Sequence, residues 1–288
     1  MLIVQNKKSP YVYERLKKAV QYHFNIEEYT EFHEQRITNR YRQDIEVDLI
    51  SEYSKSAFVF KLITSNQQYE LAPSLKKQEA LIRQLTSITE KVELGVNTSG
   101  DIERLINHDE IKEKWNLLSP KLKRTHQGVL AHGYLDAIAE KIADKKRFIA
   151  DLKQYRLFGM LFNSLLRIPF DDKTTQTRLR TFNNIIHCLP VSILEQLTLV
   201  SEDVVTSQLT YAVTGTLQPI DDDTKSRIEK YLKYYEAGEE AVYLESYTGN
   251  YVINKYTAWT KSAYISITLS NGRGYRRYMQ FTLEKQDL

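Results

Sequence analysis

The chain has 288 residues, 42% of them hydrophobic and 27% charged, with 40 Lys and Arg against 37 Asp and Glu. A net charge of +3 gives no global basic field for nucleic acid, so binding of that kind would need a local patch. The one cysteine, Cys188, excludes an intramolecular disulfide and argues against a thiolate zinc site.

The first residues, MLIVQNKKSPYVYERLKK, carry four apolar positions before polar sequence begins, too short a core for a signal peptide. The most apolar stretch, FGMLFNSLLRIPF, is interrupted by Asn163 and Arg167 and is too short to span a bilayer. The expectation is a cytoplasmic protein without membrane insertion. Twenty tyrosines stand against ten glycines and six prolines. Tyrosine suits a half-wet strand, and few glycines argue against phosphate-binding loops.

From Val20 the period is two. Val20, Tyr22, Phe24 and Ile26 alternate with Gln21, His23, Asn25 and Glu27, and Ile45, Val47 and Leu49 alternate with Asp44, Glu46 and Asp48. With Phe58, Phe60 and Leu62 these predict three strands of an antiparallel meander. From Ser74 the period changes, and Leu81, Leu85 and Ile88 predict an amphipathic helix. A hairpin follows around Asn97–Gly100. Asn107 and Glu110 have the spacing of a capping box, and Trp115 is expected to anchor that helix. Ser119 and Pro120 predict another helix start, with Leu130, Tyr134, Ile138 and Ile142 along its stripe. A further helix carries Phe148, Leu152, Tyr155, Phe158, Phe162 and Leu165. Asp171–Arg178 is expected as a polar loop; Leu179–Leu189 fits helix or strand, with helix or irregular chain preferred. Period two returns with Leu209, Tyr211, Val213 and Leu217. Asp221–Thr224 is a turn, a short helix carries Ile228 to Tyr235, and strands lie around Val242, Val252 and Ile265, the last ending near Leu283.

Strands, then helices, then strands predict an α+β fold, not alternating βαβ. The expected architecture is one antiparallel β-sheet built from N- and C-terminal strands, with the central α-helices packed on one face. It is expected as a single domain over 1–288; the alternative is two subdomains, 1–170 and 179–288. No internal repeat is visible.

The segment ISITLSNGRGYRRYMQFTLEK is a hairpin loaded with Arg and Tyr. A two-residue loop at Asn271–Gly272 would mix oily and wet residues on both faces. Adding one residue sorts them, with Leu269 facing Tyr275 and Ile265 facing Met279. The expectation is a three-residue loop with Gly274 at positive φ, Arg276, Tyr278, Gln280 and Thr282 on the outer face, and Tyr275 and Arg277 at the turn end of the inner one. Arg273, Arg276 and Arg277 then lie near one tip. Such a ribbon could stack bases and meet phosphate, but Glu284 and Asp287 dilute its charge, and a solvated strand face near a hairpin end accounts for it better.

For chemistry, His132, Asp136 and Glu140 share a helical stripe, with His126 before them. No HExxH spacing or third ligand accompanies them. His187 and Cys188 are neighbours, which on a strand would point apart. The acidic runs Asp171–Asp172 and Asp221–Asp223 suit turns and caps better than calcium. No GxSxG, Walker A or GxGxxG sequence occurs. No catalytic residue, metal ligand or cofactor is therefore assigned. The sequence points to a non-enzymatic, protein-binding or structural component of a bacterial multi-protein system. Its contact surface would be Arg273, Tyr275, Arg276, Arg277 and Tyr278, with Trp259 as a neighbour. The alternatives are a metal-assisted hydrolase using His126, His132 and Asp136, and a carrier of an apolar ligand.

Overall fold

The computed structural model describes residues 19–286, apart from 55–56, 155, 163–164, 166–174 and 188. The amino-terminal stretch read for a signal, and Tyr155, Asn163, Arg167, Asp171, Asp172, Cys188 and Asp287, lie outside the described residues.

Residues of period two form the strands they predict. β1 (Val20–Phe32), β2 (Gln35–Ser54) and β3 (Ala57–Glu70) make an antiparallel meander, extended by the hairpin β4 (Lys91–Asn97) and β5 (Ile102–Leu105). After the helices come β6 (Gln176–Ile186), β7 (Leu189–Asp203), β8 (Gln208–Leu217), β9 (Tyr243–Asn254), β10 (Thr260–Ser270) and β11 (Tyr275–Lys285). All eleven described strands join one sheet in the order β5-β4-β3-β2-β1-β11-β10-β9-β8-β7-β6. The two chain ends meet at its centre, where β1 pairs with β11. The fold is α+β, with an antiparallel sheet that includes strands from both ends and central helices packed against it.

Between β3 and β4 lies α1 (Glu79–Ser87), preceded by a 3-10 turn. The central helices are α2 (His108–Thr125), α3 (Val129–Ala143), α4 (Lys145–Gln154) and α5 (Arg156–Leu161); α6 (Asp222–Tyr234) joins β8 to β9. One face of the sheet supplies Tyr22, Phe24, Ile45, Val47, Phe60, Leu62, Ile265, Ile267, Phe281 and Leu283 to the core, where Ile111, Trp115, Leu152, Phe158 and Met160 join them. Each such side chain contributes roughly 1.5–3 kcal/mol when fully buried. The sheet is strongly curled. Phe182 of β6 stacks on Phe281 of β11 with centroids 6.1 Å apart, although five strand steps of about 4.8 Å separate those strands along the sheet.

Several local expectations are corrected. Ser119 and Pro120 do not start a helix; α2 runs through Pro120. Ile111, Trp115 and Leu122 are buried along one stripe, so packing on both sides of the proline holds a single axis. Asn107 precedes α2 without capping it. Its carboxamide oxygen accepts from Glu93 N (2.9 Å) and its amide donates to Lys91 O (3.1 Å), tying the helix start to β4. In α3 the expected stripe turns: Leu135 and Ile142 are buried, whereas Leu130 is 91% exposed and Tyr134 is exposed. Leu179–Ile186 is strand, not helix, and the strand already begins at Gln176, inside the stretch expected as loop. The strands expected separately around Val242 and Val252 are one, β9, which starts after Val242.

In the hairpin β10–β11 five residues, Asn271–Tyr275, separate the paired Ser270 and Arg276, and Leu269 faces Arg277, Ile267 faces Met279 and Ile265 faces Phe281. The positive φ is at Gly272 (75°), not Gly274. The reason is Asn271, whose buried carboxamide oxygen accepts from the backbone N–H groups of Arg273 (3.1 Å), Gly274 (3.2 Å) and Tyr275 (3.0 Å). One side chain fills the loop, and the loop is longer for it. The register moves by two residues relative to the expectation, which leaves every side chain on the expected face.

Candidate binding surface

Hydrogen-bonding register arranges the sheet face away from the helices in cross-strand rows. At the hairpin end, Tyr243, Ser270, Arg276, Glu31 and Arg36 stand opposite one another in sequence across β9, β10, β11, β1 and β2. In the next row are Ser246, Thr268, Tyr278, Tyr29 and Thr38. These two rows are held by their own members. Tyr29 stacks on Tyr278 with centroids 5.0 Å apart, and the Arg36 guanidinium lies 3.7 Å from the Tyr29 ring centre. Arg276 makes a two-pronged contact with Glu245, at 3.1 and 2.7 Å. That contact pushes its pKa up, against the opposing effect of burial. Arg273 projects from the loop with a side chain 74% exposed and pairs with Glu240 at 2.8 Å.

The remaining residues singled out from the sequence do not join them. Tyr275 is buried on the core face against Phe32 and Tyr231, and burial pushes its hydroxyl pKa well up. Arg277 also points inward. It donates to Thr30 Oγ1 (2.6 Å) and to Glu28 Oε2 (2.9 Å). Trp259 is buried at the other end of β10, edge-on to Phe60. The three arginines of the ribbon therefore do not form one patch: Arg276 is on the outer face, Arg277 on the inner and Arg273 on the loop. Of the exposed tyrosines, Tyr243 joins the outer row and sits beside Gly272, whereas Tyr235 stacks on the core-face Phe32, with Tyr234 edge-on to Tyr235.

The histidines are dispersed. His132 Nε2 contacts Lys123 O at 3.1 Å and Asp136 pairs with Lys123 Nζ at 2.5 Å, so both meet Lys123 rather than each other. His126 is the residue after α2. Among the described residues no three His, Cys, Asp or Glu side chains gather as a metal site. His187 stacks on Tyr231. His33 contacts Glu236 O (2.8 Å) and His108 contacts Ile142 O (2.7 Å). Asp221 caps α6, its carboxylate accepting from Thr224 N at 2.9 Å. No helix among the described residues is long and apolar enough to cross a membrane.

Two groups escaped the sequence reading. The first is a buried charge cluster. Glu195 of β7 is 0% exposed and faces Arg178 and Arg180 of β6. Tyr247 donates to its carboxylate, and Tyr251 accepts from Arg178 (3.2 Å) and Arg180 (3.1 Å). Burial pushes the Glu195 carboxyl up, but the two guanidiniums and the Tyr247 hydroxyl outweigh it and hold the carboxyl below its ordinary range. A signal was present: in PVSILEQLTLV, Glu195 falls in phase with Val191, Ile193 and Leu197. The second is a polar trough on the outer face, of about 800 Å³, lined by His23, Asn25, Glu27, Arg40, Arg42 and Asp44 with neighbours from β3 and β11.

Apolar space is smaller. A cavity of about 340 Å³ lies between Tyr41 of β2, Leu85 of α1 and Phe148 and Leu152 of α4. Compared with models of known families and with curated proteins, the chain finds no match.

Proposed function

We propose that this is a non-enzymatic protein-binding component of a multi-protein system, and that it docks its partner on the Tyr/Arg-rich end of the outer sheet face. The observation that carries the reading is the pre-set pair of rows: Arg36 on Tyr29, Tyr29 on Tyr278, and Arg276 forked onto Glu245. Side chains already held in place lose little entropy on binding, and Tyr and Arg are the types that anchor interfaces. Tyr243, 48% exposed, and Arg273 on the loop supply adjoining area. The arginines of these rows are matched by Glu31 and Glu245, which favours a protein over a polyanion.

The test places a photo-cross-linking residue at Tyr243, at Tyr278 or at Leu130, in the protein within its own cells. The reading expects one partner captured from Tyr243 and Tyr278, and its loss when Arg36 and Arg276 are both changed to Ala. Capture from Leu130 alone, or capture indifferent to the two arginines, overturns it.

A further inference from the structure

Beyond the tyrosine rows, toward the opposite end of the same face, the register sets out a different surface. Asn250, Tyr264, Thr282, Asn25, Arg42 and Gln68 stand in one row across β9, β10, β11, β1, β2 and β3. The parallel rows on either side supply Glu27, Arg40 and Gln280, and His23, Asp44 and Glu284. Gln68, Arg42, Asn25 and Thr282 of this row line the 800 Å³ trough, and a second hollow of about 430 Å³, which shares Thr282 and Glu284 with it, carries the row on through Tyr264 to Asn250.

The trough is shaped by a defect in β3. Arg42 pairs with Gln68 and Asp44 with Ser65, so Asn66 and Gln67 together oppose the single residue Gln43. Asn66 takes a left-handed conformation, φ 50°, and its amide reaches Asp44 Oδ2 at 2.6 Å. A bulge of this kind re-aims side chains out of the plain alternation. Asp44 in turn meets His23 Nδ1 at 2.6 Å. At the β2–β3 end of the floor, the side chains of Arg42 and Gln68 make no hydrogen bond or ion pair with any described residue, and Arg42 is exposed.

We infer that this trough is a binding site for a neutral oligosaccharide laid across the strands. Three observations select that class. The lining carries the carboxylates of Glu27, Asp44 and Glu284 against the guanidiniums of Arg40 and Arg42, a balance that repels a polyanion. The floor is otherwise amide and hydroxyl, groups that both donate and accept and so match the paired hydroxyls of a sugar, and the Tyr264 ring offers an apolar face. The rows also repeat every strand, about 4.8 Å, close to the length of one pyranose in an extended chain. An extended peptide repeats its same-side residues about every 6.8 Å and falls out of step. Six strands give six positions in the floor row, and the free fork of Arg42 and the amide of Gln68 hold one end.

The experiment is calorimetric titration of the whole protein with neutral hexasaccharides of β1,4-glucose, β1,4-N-acetylglucosamine, β1,4-mannose, β1,4-xylose, β1,3-glucose and α1,4-glucose, with a hexagalacturonate as the charged arm. Saturable binding of a neutral hexamer is expected, weakening as the chain is shortened to a disaccharide. In Arg42→Ala it falls about tenfold, the loss of a charge-assisted hydrogen bond, while Tyr234→Ala leaves it unchanged. Arg42 holds no described partner, so the variant keeps its melting temperature. Binding of no neutral hexamer, tighter binding of the galacturonate, or equal binding by Arg42→Ala overturns the assignment. None of these outcomes bears on the tyrosine rows.

Discussion

A Cβ on Gly215 would stand 2.8 Å from Cδ1 of Tyr247. Gly215 of β8 is the backbone partner of Glu195, and the missing side chain is what lets the tyrosine ring cross from β9 to donate to that buried carboxylate. Ile193 closes the same space, 2.6 Å from the added carbon. Gly215→Ala is therefore expected to destabilise the fold by about 2 kcal/mol, the cost of overpacking a filled site. Urea unfolding checks it through a lower midpoint at unchanged slope.

Glu195 also controls the response to acid. Its folded-state pKa lies below the ordinary value of 4.5, so as pH falls the unfolded chain takes up this proton first. The stabilisation is complete above about pH 4.5 and disappears as the pH drops through the lower folded value. Glu195→Gln removes the charge and leaves two buried guanidiniums facing each other. We expect a loss of about 3 kcal/mol at neutral pH and a flatter stability curve below pH 4.5. Denaturant titrations of both proteins between neutral pH and pH 3 measure the difference. Parallel curves would show that the cluster does not govern acid unfolding.

Arg276 and Arg277 are neighbours in sequence and opposites in setting. Arg276 is exposed and paired with Glu245, whereas Arg277 is largely buried and holds Glu28 and Thr30. Arg276→Ala should change stability by no more than about 0.5 kcal/mol. Arg277→Ala should cost about 2 kcal/mol, since it strips a charged hydrogen bond from the partly buried carboxylate of Glu28. Thermal melts of the two variants decide, and equal effects would contradict the assignment of faces.

The fold was legible where polarity follows phase. In β1 from Val20 to Phe24 and in β2 from Ile45 to Leu49 the apolar alternation is the alternation of burial, so the meander and its wet face could be read off directly. The hairpin β10–β11 was readable to the face but not to the residue, because parity survives a shift of two and only the side chain of Asn271 fixes the loop length. β6 was not legible, because its polarity is inverted. Arg178, Arg180 and Phe182 point into the core while Leu179 is exposed, and this makes sense only once Glu195 of β7 is opposite. The order of three strands, a helix and two strands occurs twice, as β1–β3, α1, β4–β5 and as β6–β8, α6, β9–β10, in the same sense along the sheet. Residues as different as Phe24 and Arg180 hold inward positions in the first strand of each run, so no repeat shows in the sequence. The polar trough was hidden for another reason. Asn25, Arg42, Gln68 and Thr282 each look like ordinary wet strand positions, and only register brings them into line.

The loop of β10–β11 offers the sharpest separation of a side chain's work from a backbone's. Asn271 accepts from three backbone N–H groups and donates to Ala237 O at 2.6 Å, tying the hairpin to the end of α6. Asn271→Ala leaves the buried donors of Gly274 and Tyr275 without that acceptor, so a loss of about 3 kcal/mol is expected from orphaned polar groups. Gly272→Ala asks only for a left-handed alanine, with no atom closer to its Cβ than 3.6 Å, and should cost about 1 kcal/mol. Amide hydrogen exchange separates the two. In Asn271→Ala the protection of Gly274 and Tyr275 should collapse while the middle of β11, at Met279 and Phe281, stays slow. In Gly272→Ala all four should keep their order, uniformly faster. If Gly274 and Tyr275 remain protected without Asn271, the loop is held by the strands, and the side chain is not what sets its length.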